Sequence, residues 1–117
     1  MRICAVEDDV LLNRAINRFL GCCSDVSVES NSSYENLVPN ECIDIYFLDF
    51  DNSFGMSGGR WLELYGKNVP VYKRLLTSGF ISNWDDFTGV KIVKPYNLSD
   101  LEKTLDLMYE NNKRYKK

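Results

Sequence analysis

The chain has 117 residues, of which 44% are hydrophobic and 26% are charged. This length suits one domain with a hydrophobic core, and this composition excludes wholesale disorder. The formal net charge of −3 argues against a nucleic-acid-binding surface. No apolar run is as long as a membrane span and no signal-type stretch follows Arg2, so we expect a cytoplasmic protein that makes no membrane contact.

The first predicted elements are a strand and a helix joined by acidic residues. Residues Arg2–Val6 form a short apolar run typical of a strand, and Glu7 and Asp8 follow it directly. Apolar residues then recur at helical spacing over Val10–Leu20. Asp9 is of the residue type that caps a helix N-terminus, so the helix is predicted to begin just after it.

The most strongly patterned stretch ends at Asp49. It comes after a weak strand at Val26–Val28 and a weak helix at Ser33–Leu37, and it begins at Cys42. Its residues are β-branched, aromatic or aliphatic with a single acid inside the run, which is typical of a central parallel strand covered on both faces. Asp49 and Asp51 place two carboxylates at its end.

The second half of the chain continues the alternation of helices and strands. A short helix is predicted at Arg60–Tyr65, a strand at Arg74–Thr77, and at most one turn of helix between Gly79 and Gly89. The last strand is predicted at Val90–Val93, and the last helix at the capping box that starts with Ser99. This order predicts an α/β fold, a three-layer sandwich around a five-stranded parallel sheet.

Four of the predicted strands end in residues that can do chemistry. In chain order these are Glu7 with Asp8, Asp49, Thr77 and Lys94. In a parallel sheet such ends share one edge, where open α/β folds place their sites. Crowded carboxylates repel one another, and Mg²⁺ relieves that repulsion through oxygen ligation. One acid could form an aspartyl phosphate while the hydroxyl and the ammonium neutralise the transferring group.

The cysteine and histidine content argues against several other kinds of site. The sequence contains four Cys and no His. Cys4 and Cys42 occupy apolar strand positions, where a free thiol behaves as a small hydrophobe. Cys22 and Cys23 are adjacent, and this spacing disfavours both a zinc site and a disulfide framework. The lack of His argues against hydrolase triads of the usual kind.

The motifs VEDD, FLDF, LLTS and IVKP, in this order, resemble the receiver domains of bacterial two-component response regulators along the whole chain. The resemblance implies a flavodoxin-like topology and a single receiver domain over residues 1–117, of the stand-alone, chemotaxis-regulator-like kind. It identifies Asp49 as the phosphoacceptor. It also implies a Mg²⁺ cofactor held by Glu7 (through water), Asp8, Asp49 and the backbone carbonyl of Asp51.

The resemblance assigns roles to further residues near the phosphoacceptor. Thr77 would be the switch hydroxyl that turns toward the phosphoryl group, and Lys94 would pair with the phosphoryl oxygens. A cis peptide is usual in this family at the position of Lys94–Pro95. Asp51 and Gly79 occupy positions expected to tune the lifetime of the phosphoryl group.

Three features depart from the family pattern. Lys91 occupies the position, three residues before Lys94, where the family has an aromatic switch residue. The segment between Thr77 and Lys94 is several residues shorter than usual, which predicts a shortened or missing fourth helix. The loop after Asp49 lacks its customary proline. All three departures concern the face that reports phosphorylation to partners.

The resulting hypothesis is a phosphoacceptor in a two-component phosphorelay, which catalyses only its own phosphorylation and dephosphorylation and is not otherwise an enzyme. Its expected partners are a histidine kinase or a histidine phosphotransfer protein and a downstream protein target, with no nucleic acid and no membrane. We expect a monomer or a weak dimer, with no output domain after the last helix.

Two other functions match parts of the sequence. DFDNS at Asp49–Ser53 resembles the nucleophile motif of haloacid-dehalogenase-like phosphatases. In that family the acidic pair follows the nucleophile, whereas Glu7 and Asp8 precede Asp49 here. A receiver-like docking module that binds its partner without phosphate is suggested by Lys91 and by the short segment before Lys94.

Overall fold

The structure is a computed structural model that describes residues 1–20, 26–51, 55–79 and 87–112. Its strands, in chain order, are β1 (Arg2–Val6), β2 (Ser27–Asn31), β3 (Ile45–Asp49), β4 (Arg74–Ser78) and β5 (Val90–Val93). They form one parallel sheet in the order β2-β1-β3-β4-β5. Strand β3 therefore has hydrogen-bonded neighbours on both sides, and all five of its residues are buried, as its apolar sequence predicts.

Helices cover both faces of this sheet. The α-helices among the described residues are α1 (Val10–Leu20), α2 (Gly58–Tyr65) and α3 (Leu98–Asn112), and two 3₁₀ helices lie at Gly66–Asn68 and Val71–Lys73. One core lies between the sheet and α1 with α3, and it contains Leu20, Leu101 and Leu105. The other core lies on the opposite face and contains Trp61 and Leu62 of α2. The predicted three-layer α/β sandwich with a five-stranded parallel sheet is confirmed.

The connection between β2 and β3 differs from the prediction. The helix predicted at Ser33–Leu37 is wrong, because the chain forms turns there. Asn36 has a φ of 62°, a left-handed conformation that interrupts a helix. The indole N–H of Trp61 donates to the Leu37 carbonyl over 2.9 Å, and Tyr34 is buried in the core beside α2. Tertiary contacts therefore shape this segment.

Strand β2 was only partly predicted. It begins one residue after the predicted start and continues to Asn31, although most of its side chains are polar and none is fully buried. The reason is pairing along its whole length with β1, from Ser27 beside Arg2 to Asn31 beside Val6. An edge strand needs backbone partners on one side only, so apolar patterning marks it weakly.

The two predicted helix starts have different outcomes. Asp9 caps α1 as predicted, since its carboxylate accepts hydrogen bonds from the N–H groups of Leu11 and Leu12 at 3.0 and 3.1 Å. The capping box at Ser99 is wrong, because α3 already begins at Leu98. Asn97 is the residue that caps it, with its side-chain oxygen 2.7 Å from the Asp100 nitrogen.

Other expectations concern single segments. Cys4 is buried as predicted, but Cys42 is exposed, and it lies before β3 rather than in it. Residues 80–86 lie outside the described residues, and the prediction of a shortened or missing fourth helix falls largely on them. Cys22 and Cys23 also lie outside the described part. Within the described ranges, no helix combines the length and apolar character that crossing a bilayer requires.

Candidate functional site

The carboxyl ends of four parallel strands converge at one edge of the sheet. Glu7 and Asp8 follow β1, Asp49 ends β3, and Lys94 follows β5. Thr77, near the end of β4, is the register partner of Asp49. Because β3 lies between β1 and β4, the sheet order places Asp49 centrally among these residues.

Lys94 contacts three of the acidic side chains. Its Nζ atom lies 2.9 Å from Asp49 Oδ1, 3.1 Å from Glu7 Oε1 and 3.8 Å from Asp51 Oδ2. The side chain of Lys94 is 19% exposed, whereas those of Glu7 and Asp49 are 1% and 0% exposed. The Lys94–Pro95 peptide bond is cis. One cation therefore partly neutralises a buried group of carboxylates.

The acids at this edge also form an oxygen cluster of the kind that binds hard cations. Glu7, Asp8 and Asp49 can each offer one carboxylate oxygen such that the three oxygens lie within 4.8 Å of one another. Asp49 Oδ2 is buried, and within the described residues no N–H or alcohol group donates to it. Carboxylate oxygens are the ligands that Mg²⁺ prefers. The donor set is therefore compatible with Mg²⁺.

Burial and mutual contact shift the protonation of these groups. Burial, and then the hydrogen bond with Asp49, raises the pKa of Glu7 to about 8. Burial also acts to raise the pKa of Asp49, but the hydrogen bonds from Glu7 and Lys94 hold it below its usual value. Burial acts to lower the pKa of Lys94, yet Asp49 keeps it raised overall. Burial therefore favours the neutral form of Glu7, whereas the neighbouring ammonium of Lys94 favours the ionised form of Asp49.

Thr77 is fully buried beside Asp49. Its hydroxyl donates to the backbone carbonyl of Leu48 over 3.5 Å, which is at the long limit for a hydrogen bond. Such a weak contact costs little to exchange for a stronger acceptor. The Thr77 hydroxyl can therefore turn toward a new anionic group at Asp49 without losing a strong hydrogen bond.

Asp51 is held in place by the end of β4. Its carboxylate accepts hydrogen bonds from the Ser78 hydroxyl and, over 2.6 Å, from the Gly79 backbone N–H. Its own N–H donates to Asp49 Oδ1 over 2.9 Å. The two positions predicted to tune the phosphoryl lifetime, Asp51 and Gly79, are thus in direct contact. Ser78, the last residue of the LLTS motif, was not predicted to belong to the site.

Lys91 lies within β5, three residues before Lys94. It is an exposed residue of the edge strand β5, in register with Leu76 of β4. The structure brings Glu7, Asp8, Asp49, Asp51, Thr77, Gly79 and Lys94 to one edge of the sheet. It keeps Lys91 on an exposed surface.

Tyr34 is a residue of the site that the sequence patterns did not predict. It lies between β2 and β3, and its buried hydroxyl donates to the backbone carbonyl of Asp49 over 2.6 Å. Burial raises the pKa of this phenol well above its usual value, so it stays a donor. A single Tyr in a polar segment carries no pattern that could have predicted this contact.

Comparisons with known proteins support the fold. No protein-family model matches the sequence, and no curated protein matches it. Among solved structures, a CheY-like response regulator receiver domain protein from Methanospirillum hungatei JF-1 is 24% identical, with a TM-score of 0.77 and 97% of each chain covered. The receiver domain of the hybrid histidine kinase CckA is 18% identical, with a TM-score of 0.76 over 93% of this chain and 99% of that one.

A third solved structure gives the same result. The chemotaxis protein CheY4 from Vibrio cholerae is 16% identical, with a TM-score of 0.68 over 92% of this chain and 97% of its own. These similarities extend over nearly the whole chain, and they show that it has the receiver fold, with its flavodoxin-like topology.

Proposed function

We propose that this chain is a single receiver domain over residues 1–117 that accepts a phosphoryl group on Asp49 in a two-component phosphorelay. The donor would be a phosphohistidine on a histidine kinase or a histidine phosphotransfer protein, and a downstream protein would read the modified state. The observation that carries the proposal is the convergence of Asp49 with two other acids and with Lys94 at the carboxyl edge of a receiver-type sheet.

The chemistry follows from the state of each side chain. The ionised carboxylate of Asp49 attacks the phosphorus, a P–O bond forms, the P–N bond to the donor imidazole breaks, and that imidazole takes up a proton from solvent. Lys94 already lies 2.9 Å from Asp49 Oδ1 and would pair with the phosphoryl oxygens. The Thr77 hydroxyl would exchange its long contact with the Leu48 carbonyl for one of those oxygens.

Mg²⁺ would be held by Asp8 and Asp49, by the backbone carbonyl of Asp51, and by Glu7 through water. When bound, it supplies positive charge that offsets the repulsion between the carboxylates and the incoming phosphoryl group. The protein's own contribution is the close grouping of the oxygens and the hydrogen bonds that hold Asp51 in place. We further propose that the chain acts in the cytoplasm as a monomer or weak dimer and catalyses only its own phosphorylation and dephosphorylation.

The competing functions receive less support. A haloacid-dehalogenase-like phosphatase would need its acidic pair after the nucleophile, whereas Glu7 and Asp8 follow β1 and precede Asp49. Solved structures with the receiver fold also match nearly the whole chain. A phosphate-independent docking module remains the second candidate, because the exposed Lys91 replaces the aromatic residue through which receivers report phosphorylation.

Intact-mass spectrometry tests the proposal directly. The chain is incubated with acetyl phosphate and Mg²⁺, and we expect a mass increase of one phosphoryl group that chelation of the metal abolishes. Asp49→Asn is the matched variant, because it keeps the size of the side chain and removes the nucleophile. Labelling that survives Asp49→Asn, or that ignores chelation, would contradict the proposal. An unlabelled wild-type chain would favour the docking module.

A further inference from the structure

Tyr34 connects the loop between β2 and β3 to the backbone of the phosphoacceptor. Its side chain is 1% exposed, Asp49 is 0% exposed, and the phenolic O–H donates to the Asp49 carbonyl over 2.6 Å. A backbone carbonyl buried this deeply needs a partner, because an unpaired buried acceptor costs free energy. In this structure the partner is a side chain from a different part of the chain.

The same peptide group is held from its other side as well. The Asp49 carbonyl and the Phe50 N–H belong to one planar peptide unit, and the Phe50 N–H donates to the Thr77 carbonyl over 2.8 Å. Tyr34 and Thr77 therefore bind its two polar atoms from opposite directions. This fixes the orientation of the peptide between Asp49 and Phe50, and so the path by which the chain enters Asp51.

The first residue of α2 leaves room for this contact. A Cβ atom on Gly58 would lie 2.8 Å from the Tyr34 hydroxyl oxygen and 2.9 Å from the Asp49 carbonyl oxygen. A side chain at this position would thus collide with both atoms of the hydrogen bond. Tyr34 is also packed by Trp61 of α2, whose ring centroid is 5.8 Å away. Helix α2 therefore supports the Tyr34 hydrogen bond in two ways: Gly58 leaves room for it, and Trp61 packs against the Tyr34 ring.

We infer that Tyr34 is a positioning residue for the phosphoryl-accepting site, which orients the peptide after Asp49 and thereby the backbone of Asp51. The inference rests on the proposed function, because Asp51 matters only if its backbone carbonyl is a metal ligand. Without the hydroxyl, the buried Asp49 carbonyl loses its partner and the peptide is free to rotate toward another donor. The rate of phosphorylation and the Mg²⁺ affinity should then fall by more than the loss of folding stability alone would cause.

Tyr34→Phe is the test variant, and Tyr46→Phe is its matched control. Tyr46 is also 1% exposed, and its ring centroid is 6.0 Å from that of Trp61. Its hydroxyl donates to the Asn40 carbonyl over 2.8 Å and accepts from the Asn40 N–H over 2.9 Å. The control thus loses at least as much hydrogen bonding from the same core, but at the opposite end of β3.

Three measurements separate positioning from stability. Amide hydrogen exchange of the metal-free protein should show about tenfold faster exchange at the Phe50 N–H in Tyr34→Phe, which corresponds to about 1.4 kcal/mol. Calorimetric titration should show about a threefold to tenfold weaker Mg²⁺ affinity. The rate of phosphorylation by acetyl phosphate at saturating Mg²⁺ should fall by about the same factor. Tyr46→Phe should match wild type in Mg²⁺ affinity and in phosphorylation rate, and its Phe50 N–H exchange should accelerate by no more than its loss of global stability accounts for.

The outcomes distinguish the inference from the function on which it rests. If wild type is labelled on Asp49 and Tyr34→Phe behaves like Tyr46→Phe, the inference is wrong and the proposed function stands. An unlabelled wild type overturns both. If Tyr34→Phe does not fold, wild-type NMR decides, because a hydroxyl proton in this buried bond should exchange slowly enough to be observed. Rapid exchange of the Tyr34 hydroxyl proton would overturn the inference without any variant.

Discussion

Replacing Lys94 by methionine should cost the metal-free protein about 3 kcal/mol of folding free energy. The lysine Nζ lies 2.9 Å from Asp49 Oδ1 and 3.1 Å from Glu7 Oε1, and both of those side chains are almost fully buried. Methionine keeps an unbranched apolar stem of similar length and removes the charge. Asp49 is then left as a buried carboxylate without its neighbouring cation.

Two upper limits bound the size of this loss in folding free energy. Two unit charges 2.9 Å apart attract each other by about 6 kcal/mol at an effective dielectric constant of about 20. The loss cannot reach that value, because Asp49 can take up a proton instead. Protonating a carboxyl group of ordinary pKa, about 3.9, costs about 4 kcal/mol at pH 7. A loss of about 3 kcal/mol lies below this ceiling and agrees with the removal of one partner from other buried ion pairs.

Urea denaturation in the presence of a chelator measures this loss, and a double-mutant cycle with Asp49→Asn assigns it to the pair. In the Lys94→Met background, Asp49→Asn removes the unpaired anion and should recover about 2 kcal/mol. The exposed pair Arg60–Glu63, at 3.2 Å and with side chains 61% and 59% exposed, is the matched control. Its coupling energy should not exceed about 0.5 kcal/mol. If the Lys94 and Asp49 effects simply add, the reasoning is refuted.

Three further predictions concern other residues of the site and its surroundings. Asp8→Asn should raise the stability of the metal-free protein, measured with a chelator present, by about 1 kcal/mol, because it relieves repulsion between the carboxylates. It should also weaken the stabilisation by Mg²⁺. A stability equal to that of wild type in chelator would count against the acidic cluster. Lys91→Ala should respond to beryllofluoride and Mg²⁺ with the same amide chemical-shift changes as wild type, because Lys91 is exposed; loss of that response would make Lys91 part of the switch. Gly58→Ala should destabilise by about 2 kcal/mol because its Cβ would meet three atoms closer than 3.0 Å, whereas Gly66→Ala, with its nearest such atom at 3.4 Å, should be close to neutral; equal melting temperatures would contradict this.

Local sequence patterns were sufficient to predict most of the fold. The strands at Arg2–Val6 and Val90–Val93 were predicted with their observed bounds, because runs of apolar residues with short polar connections admit few other structures. The helix at Val10–Leu20 was predicted by its apolar spacing and by Asp9. The alternation of strands and helices along the chain then predicted a parallel sheet, and a parallel sheet brings the carboxyl ends of four strands to one edge. The grouping of Asp49 with Lys94 could be expected on that basis alone.

Contacts between distant parts of the chain decided the rest. The segment Ser33–Leu37 has weak helical character, and it forms turns because Trp61 and the Asp49 backbone bind it. Strand β2 extends through polar residues because β1 supplies its backbone partners. The hydrogen bond from Tyr34 to Asp49 joins residues that share no local pattern, so only the folded chain reveals it. Periodicity reports which side of an element is buried, whereas the partner of a buried polar atom depends on the packing of the whole molecule.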